Sequence, residues 1–314
     1  VSCVILDTRK LLVANTAGDS ISIISFDEDG YHVKTKSIFQ MLKNNKCLKG
    51  IDRVEKIGIH QLYNDEEETD IIYTVNSYDN SIFKINIKKY IIEAYAYVGK
   101  FPTHLAIFKD RIFIANSDSN SVSVVDKKTF ELIENISVGE KPHGLILDNN
   151  NLYVANSNGY SMDIINLDDY TIKRKSLPYN PLHFYMYKDK LYIIAAMSNG
   201  MLNSYMIIYS TVENRILKKL SINNMIYNII YKADINCIYT PNVSDGYLYK
   251  IEFGEVDYIK KYYIGGMPCN LVDMGECIYI SDVLNNQIIV FNYKNETMET
   301  KLSVDKEPNG LLII

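Results

Sequence analysis

The sequence predicts an all-β chain: a seven-bladed β-propeller of four-stranded antiparallel blades. Two observations carry this. The first is a hairpin signature. In Ile112–Asp126, Ile112 to Ala115 form an apolar run, Asn116 to Asn120 are turn formers, and Ser121 to Val125 are a second β-rich run closing on Asp126. The second is its repetition in phase. With the residue at the Asn116 position as ruler, the copies fall at Asn15, Asn76, Asn116, Asn156, Ala195, Asn242 and Asp282, in steps of 61, 40, 40, 39, 47 and 40. A period of about 40 with several short strands per unit is the signature of a propeller.

Between the hairpins lies a second motif. It reads Gly99-Lys100-Phe101-Pro102-Thr103-His104-Leu105 and Gly139-Glu140-Lys141-Pro142-His143-Gly144-Leu145, with weaker forms at Pro181-Leu182-His183, Gly266-Met267-Pro268-Cys269-Asn270 and Glu307-Pro308-Asn309-Gly310. Each leads into a strand. The VANS and IANS cores, followed by SVSVVD and alternating with G-x-x-P-x-H/G-L, resemble the YVTN-type (surface-layer-like) propeller repeats over nearly the whole chain. That resemblance implies the fold. It implies no single activity, because the family is functionally diverse, and many of its members are exported.

Taken in order, Val4 to Leu6 is expected as the first inner strand, and Tyr31 to Ser37 as the outer strand of blade one. Ile38–Lys56 is an insertion that accounts for most of the long first step, and Ile38, Met41 and Leu42 fit one face of a short helix. Ile57 to Leu62 is expected as the inner strand of blade two. Asp65–Asp70 reads as a solvated acidic loop, without the glycine and spacing of an EF-hand. Blade five carries an expanded turn at Ser198–Ser204, and blade six replaces the proline motif with Asn224 to Asn228. Pro308 to Ile314 is one inner strand too many, and the expectation is that it closes the ring between the terminal segments. Residues 1–314 are thus read as a single propeller domain.

Composition narrows the function classes. A net charge of −5 argues against a general nucleic-acid binder, which needs a basic surface. The absence of tryptophan disfavours Trp-docked quinoprotein and WD-repeat propellers, and Tyr73, Phe113, Tyr153, Tyr192, Tyr239 and Tyr279 are expected to pack between blades instead. An odd count of five cysteines without a shared spacing favours free thiols and a reducing, cytoplasmic setting. Cys3 and Cys269 fall near inner-strand starts, in blades that ring closure would make neighbours. The chain begins at Val1, so export after removal of an upstream signal stays open. No apolar run is long enough for a spanning helix, and a monomer is expected.

In such blades the loops from outer to next inner strand share one face with the turns between the second and third strands. The proline motif, both insertions and the Asn turns therefore belong to one channel mouth. His104, His143 and His183 follow motif prolines there, and His60 is a candidate for the same place in blade two. His104 and His183 share a repeat position with Tyr227 and Asn270, and Gly144 holds it in blade four. The candidate ligand site is accordingly His104, His143, His183, Tyr227 and Asn270. The competing reading makes these residues struts between blades. No metal is expected, because adjacent inner strands splay apart while metal ligands must converge at about 2 Å. Asn15, Asn76, Asn116, Asn156, Asn242 and Asp282 are read as structural turn residues, Asn being tolerant of left-handed backbone.

No P-loop, dinucleotide fingerprint, G-x-S-x-G or H-E-x-x-H occurs, and no cofactor is expected. The leading functional expectation is a non-enzymatic binding or scaffold propeller that takes a protein, peptide or small molecule at its channel mouth. The alternative is a lactonase-like hydrolase or a lyase with the same histidines. That alternative calls for a charged partner, and only Lys141 and Glu307 stand beside the motif prolines.

Overall fold

The computed structural model describes residues 9–28, 30–45, 55–65, 67–198 and 202–314. The described residues form seven four-stranded antiparallel sheets, one per blade, and the fold is a seven-bladed β-propeller. Each of blades two to seven is built from four consecutive strands. Blade one differs: Pro308–Ile313 pairs antiparallel with Leu11–Asn15, which continues to Ser20–Asp27 and Gly30–Ser37. The C-terminal strand therefore supplies the inner strand of blade one. This matches the expected closure between the terminal segments; Val4–Leu6 and Cys3 lie outside the described residues, as does Cys47. Backbone bonds between Lys10 and Ile314, at 2.8 and 2.9 Å, fasten the far end of that pairing.

Contacts divide the chain into two compact units: Val1–Tyr95 with Lys232–Ile314, and Ala96–Tyr231. The first is built from blades one, two, six and seven, the second from blades three, four and five.

The cores lie between blades. In the second unit, Phe113, Val122, Val124 and Ile136 of blade three pack against Leu152, Val154 and Ile165 of blade four. Burying each such side chain contributes roughly 1.5–3 kcal/mol. All six aromatics of the common repeat position are buried. Several meet the neighbouring blade edge-on or tilted, as Phe113 does Tyr170 at 6.1 Å and Tyr279 does Phe26 at 5.7 Å. Outer strands such as Ile172–Ser176 (IKRKS) are charged and mostly exposed, which protects a free sheet edge from pairing with other chains.

The turn asparagines hold the hairpins, though not by adopting left-handed backbone. Asn116 is extended (φ −111°) and fully buried. Its amide donates to Ser121 Oγ at 3.2 Å and Ser123 Oγ at 2.8 Å on the next strand. Asn15, Asn76 and Asn156 bond the equivalent Ser20, Ser81 and Ser161 at 2.9–3.1 Å. The left-handed residue comes four positions later, at Asp19, Asn80, Asn120, Tyr160, Gly246 and Asn286. In blade six Asn242 Oδ1 accepts from Ser244 N at 3.1 Å, and in blade seven the Asp282 carboxylate accepts from Met267 N, Asn285 and Gln287.

Other expectations shift in detail. The inner strand of blade two spans Ile59–Asn64, two residues later than expected. The insertion after blade one does begin with a helix, Ile38–Asn44, whose Ile38 and Met41 are buried against blades one and two. In blade five the extra residues lengthen the hairpin instead of looping out: Lys190–Ser198 and Leu202–Ser210 stay in register to the Ser198–Leu202 pair. The acidic loop is not simply solvated. Asp65 is 5% exposed and accepts from Tyr73 Oη at 3.0 Å and Glu67 N at 2.9 Å. Asn44, the last residue of the helix, and Asn45 after it donate to the carbonyls of Tyr90 and Ile92.

Candidate functional site

The site grows from one irregularity repeated in the inner strands. Side chains of a regular strand alternate between faces, so His143, one residue after its proline, and His104 and His183, two after theirs, would point to opposite sides. A register shift follows the proline in each of these strands: between Pro102 and His104, between Pro142 and Leu145, and between Pro181 and His183. A β-bulge sets two residues against one partner and re-aims a side chain. Here it brings side chains from both positions together.

The result is a cluster of rings within the second unit. The centroids of His104 and His143 are 5.0 Å apart, those of His104 and His183 4.9 Å, and those of His143 and His183 4.7 Å. One ring nitrogen from each histidine lies within 4.8 Å of the other two. Tyr227 closes one side, its ring 4.4 Å from His183 and 6.4 Å from His143. His183 is buried, and His104, His143 and Tyr227 are half-buried. The arrangement departs from the splayed one expected of adjacent inner strands.

Two neighbours fix His143. Thr103 Oγ1 donates to its carbonyl at 2.9 Å, tying blade three to blade four. Gly144 lets blade five approach: a Cβ there would stand 2.7 Å from the Leu182 carbonyl oxygen.

Asn270, the fifth candidate, lies in the first unit and has its own network. Its amide donates to Asn309 Oδ1 at 3.0 Å, and Asn309 Nδ2 meets His60 Nδ1 at 3.1 Å. Burial pushes the His60 pKa down to about 4, so the ring is neutral near pH 7 and Nδ1 can accept. Asn309 and Gly310 repeat the His143-Gly144 pattern, since a Cβ on Gly310 would stand 2.7 Å from the His60 carbonyl oxygen. Where glycine holds the second position after proline, the first position supplies the polar side chain. Asn309 was not among the candidate residues, yet the Pro-polar-Gly run shared by Pro142–Gly144 and Pro308–Gly310 carries the signal.

Lys141, one of the charged residues beside the prolines, leads elsewhere. Lys141 Nζ pairs with Asp118 at 2.6 Å on the exposed turn of blade three. Among the described residues, the converging group of metal-ligating side chains is the histidine trio. Cys237, Cys269 and Cys277 are buried cysteines outside any disulfide, and burial raises the pKa of Cys237 to about 11 and that of Cys269 to about 12. Cys237 and Cys269 are therefore protonated at neutral pH. No described helix is long and apolar enough to cross a membrane.

No protein-family model and no curated protein sequence matches the chain. Solved structures do. It resembles hydrazine synthase of Kuenenia stuttgartiensis with a TM-score of 0.73 and 14% identity, over 85% of this chain and 92% of that one. A protein of Bacteroides uniformis provisionally described as a 6-phosphogluconolactonase gives a TM-score of 0.73 at 13% identity, covering 98% and 100%. Streptogramin B lyase gives 0.66 at 15% identity, covering 82% and 88%. At these identities the likeness is one of fold, and fold alone does not assign activity.

Proposed function

We propose that this chain is a non-enzymatic binding propeller of the YVTN type, and that His104, His143, His183 and Tyr227 form its ligand site. The observation that carries the reading is the meeting of three imidazoles and a phenol from four successive repeats, with ring centroids 4.4–6.4 Å apart. Imidazole supplies both a donor and an acceptor, and its charge changes near physiological pH. Packing alone would be served as well by leucine or phenylalanine, without the cost of bringing polar nitrogens out of water. The ligand expected is a small polar molecule or a polar side chain of a peptide.

A hydrolase or lyase working through the same imidazoles is the second reading. What favours it is a cluster of groups suited to general acid–base work, on a fold shared with a lyase and with a provisionally described lactonase. Against it stands the lack of a carboxylate in the converging group among the described residues.

The test is thermal unfolding against a panel of polar metabolites, for the native protein and a His104→Ala/His183→Ala double variant. A compound that raises the midpoint of the native protein alone supports the site, and its turnover or persistence on incubation decides between enzyme and binder. If every stabilising compound acts equally on both proteins, the site reading fails.

A further inference from the structure

The same cluster has the composition of a metal centre and ring positions close to those of one. We propose that His104, His143 and His183 bind a late first-row divalent cation of the Zn²⁺, Co²⁺ or Ni²⁺ type. This rests on the reading of the cluster as a binding site and names what it takes.

The argument begins with ligand chemistry. Neutral imidazole suits zinc, copper and nickel, whereas Mg²⁺ and Ca²⁺ need oxygen ligands, and the trio offers none. Three imidazoles leave one position of a four-coordinate ion open, the arrangement of sites that bind a further ligand.

Geometry comes next. With metal–nitrogen bonds of about 2.0–2.1 Å, ligand atoms around a tetrahedral ion stand about 3.3 Å apart, and ring centroids, lying further out, about 5 Å apart. The three centroids here are 4.7–5.0 Å apart. The nitrogens spread wider, to 4.8 Å. Rotation about the Cβ–Cγ bonds, which leaves the ring centroids nearly in place, is the adjustment that binding an ion would require.

Support from outside the trio completes the case. Ordered partners around a metal site orient its ligands. The His143 backbone is held by Thr103 at 2.9 Å, that of His183 packs against Gly144, and Tyr227 packs over His183 at 4.4 Å. The bulges after the prolines fix where each histidine leaves its strand.

The experiment is titration of chelator-treated, dialysed protein with Co²⁺, read by visible ligand-field absorption, followed by displacement with Zn²⁺. The native protein, His143→Phe, His183→Gln and His32→Ala are compared. His32 is exposed and pairs with Asp27, so its variant controls for surface histidine. The expected result is one equivalent of Co²⁺ with the intense spectrum of a four-coordinate site in the native protein and His32→Ala. At least an about 100-fold weakening is expected in the other two. Equal binding by all four proteins, or no ligand-field band in the native protein, overturns the proposal. The native spectrum decides even if a core variant fails to fold. A metabolite that stabilises the native protein but not the double variant, with no Co²⁺ band, overturns the metal and leaves the binding site standing. Failure of both overturns the site itself.

Discussion

Gly144 lies against the backbone of His183: a Cβ built on it would stand 3.1 Å from the His183 Cα and 2.7 Å from the preceding carbonyl oxygen. The obstacle is main chain, which cannot swing aside as a side chain would. The contact sets how closely blades four and five approach at the histidine cluster.

Gly144→Ala is therefore expected to destabilise by about 1–3 kcal/mol, the usual cost of overpacking. Gly159→Ala is the control, since its nearest neighbour is a serine hydroxyl at 3.4 Å, and it should change stability little. Urea denaturation of both variants checks this.

The Asn116 clamp is expected to be cooperative. Its amide reaches Ser121 and Ser123, and Ser123 Oγ in turn donates to Asn135 Oδ1 at 2.7 Å. Asn116→Ala should cost about 1–3 kcal/mol by leaving these buried hydroxyls short of a donor. A double-mutant cycle with Ser123→Ala should show a coupling above about 0.5 kcal/mol. Additive effects would mean that the bond contributes little.

Blade four holds an ion pair with an uneven environment. Arg174 Nε and Nη2 bond the two carboxylate oxygens of Asp163 at 2.7 and 2.9 Å, and Asp163, fully buried, also accepts from Gly139 N at 2.9 Å. Removing the arginine strands a buried charge, but its side chain is 55% exposed, so water can replace part of the interaction. Arg174→Met is expected to cost about 2 kcal/mol, below the 3–5 kcal/mol typical of a fully buried pair, and the loss should persist in high salt. Chemical denaturation at two salt concentrations measures it.

His60 gives a pH prediction. Burial lowers its pKa from 6.5 to about 4. Between those values the unfolded chain takes up a proton that folded His60 does not. The stability gained from keeping it neutral is thus complete above pH 6.5 and is lost as pH falls towards 4. Across that window the contribution amounts to about 3 kcal/mol. His60→Asn, which keeps an acceptor for Asn309, should lose stability less steeply on acidification. Parallel pH–stability curves for the two proteins would refute this.

The sequence and the structure agree where repetition speaks. Asn116 and its equivalents mark the hairpin turn in every blade but the fifth, where Ala195 lies within the ladder, and buried aromatics such as Phe113 and Tyr279 sit between blades as their recurrence implies. What repetition cannot reveal is the bulge after each motif proline. Strand periodicity separates His143 from His104 and His183, and only the register shifts reunite them. Asn309 is hidden for a similar reason, since it answers to His143 and not to Asn270. The length of the blade-five hairpin escaped because polar residues such as Asn203 and Ser204 read as turn formers, yet they continue the ladder opposite Met197 and Ala196.

The central claim is that the three imidazoles form a metal-binding site and not merely a packed seam. His143→Phe separates these directly, because phenylalanine keeps an aromatic ring at the position while removing both nitrogens. The measurement is the thermal midpoint of the native protein and this variant, with and without Zn²⁺. The account predicts that without the ion the variant melts at or above the native midpoint. With it, the native protein alone is stabilised, by about 2.7 kcal/mol at a hundredfold excess over Kd. Equal stabilisation of both proteins by Zn²⁺, or of neither, would contradict it.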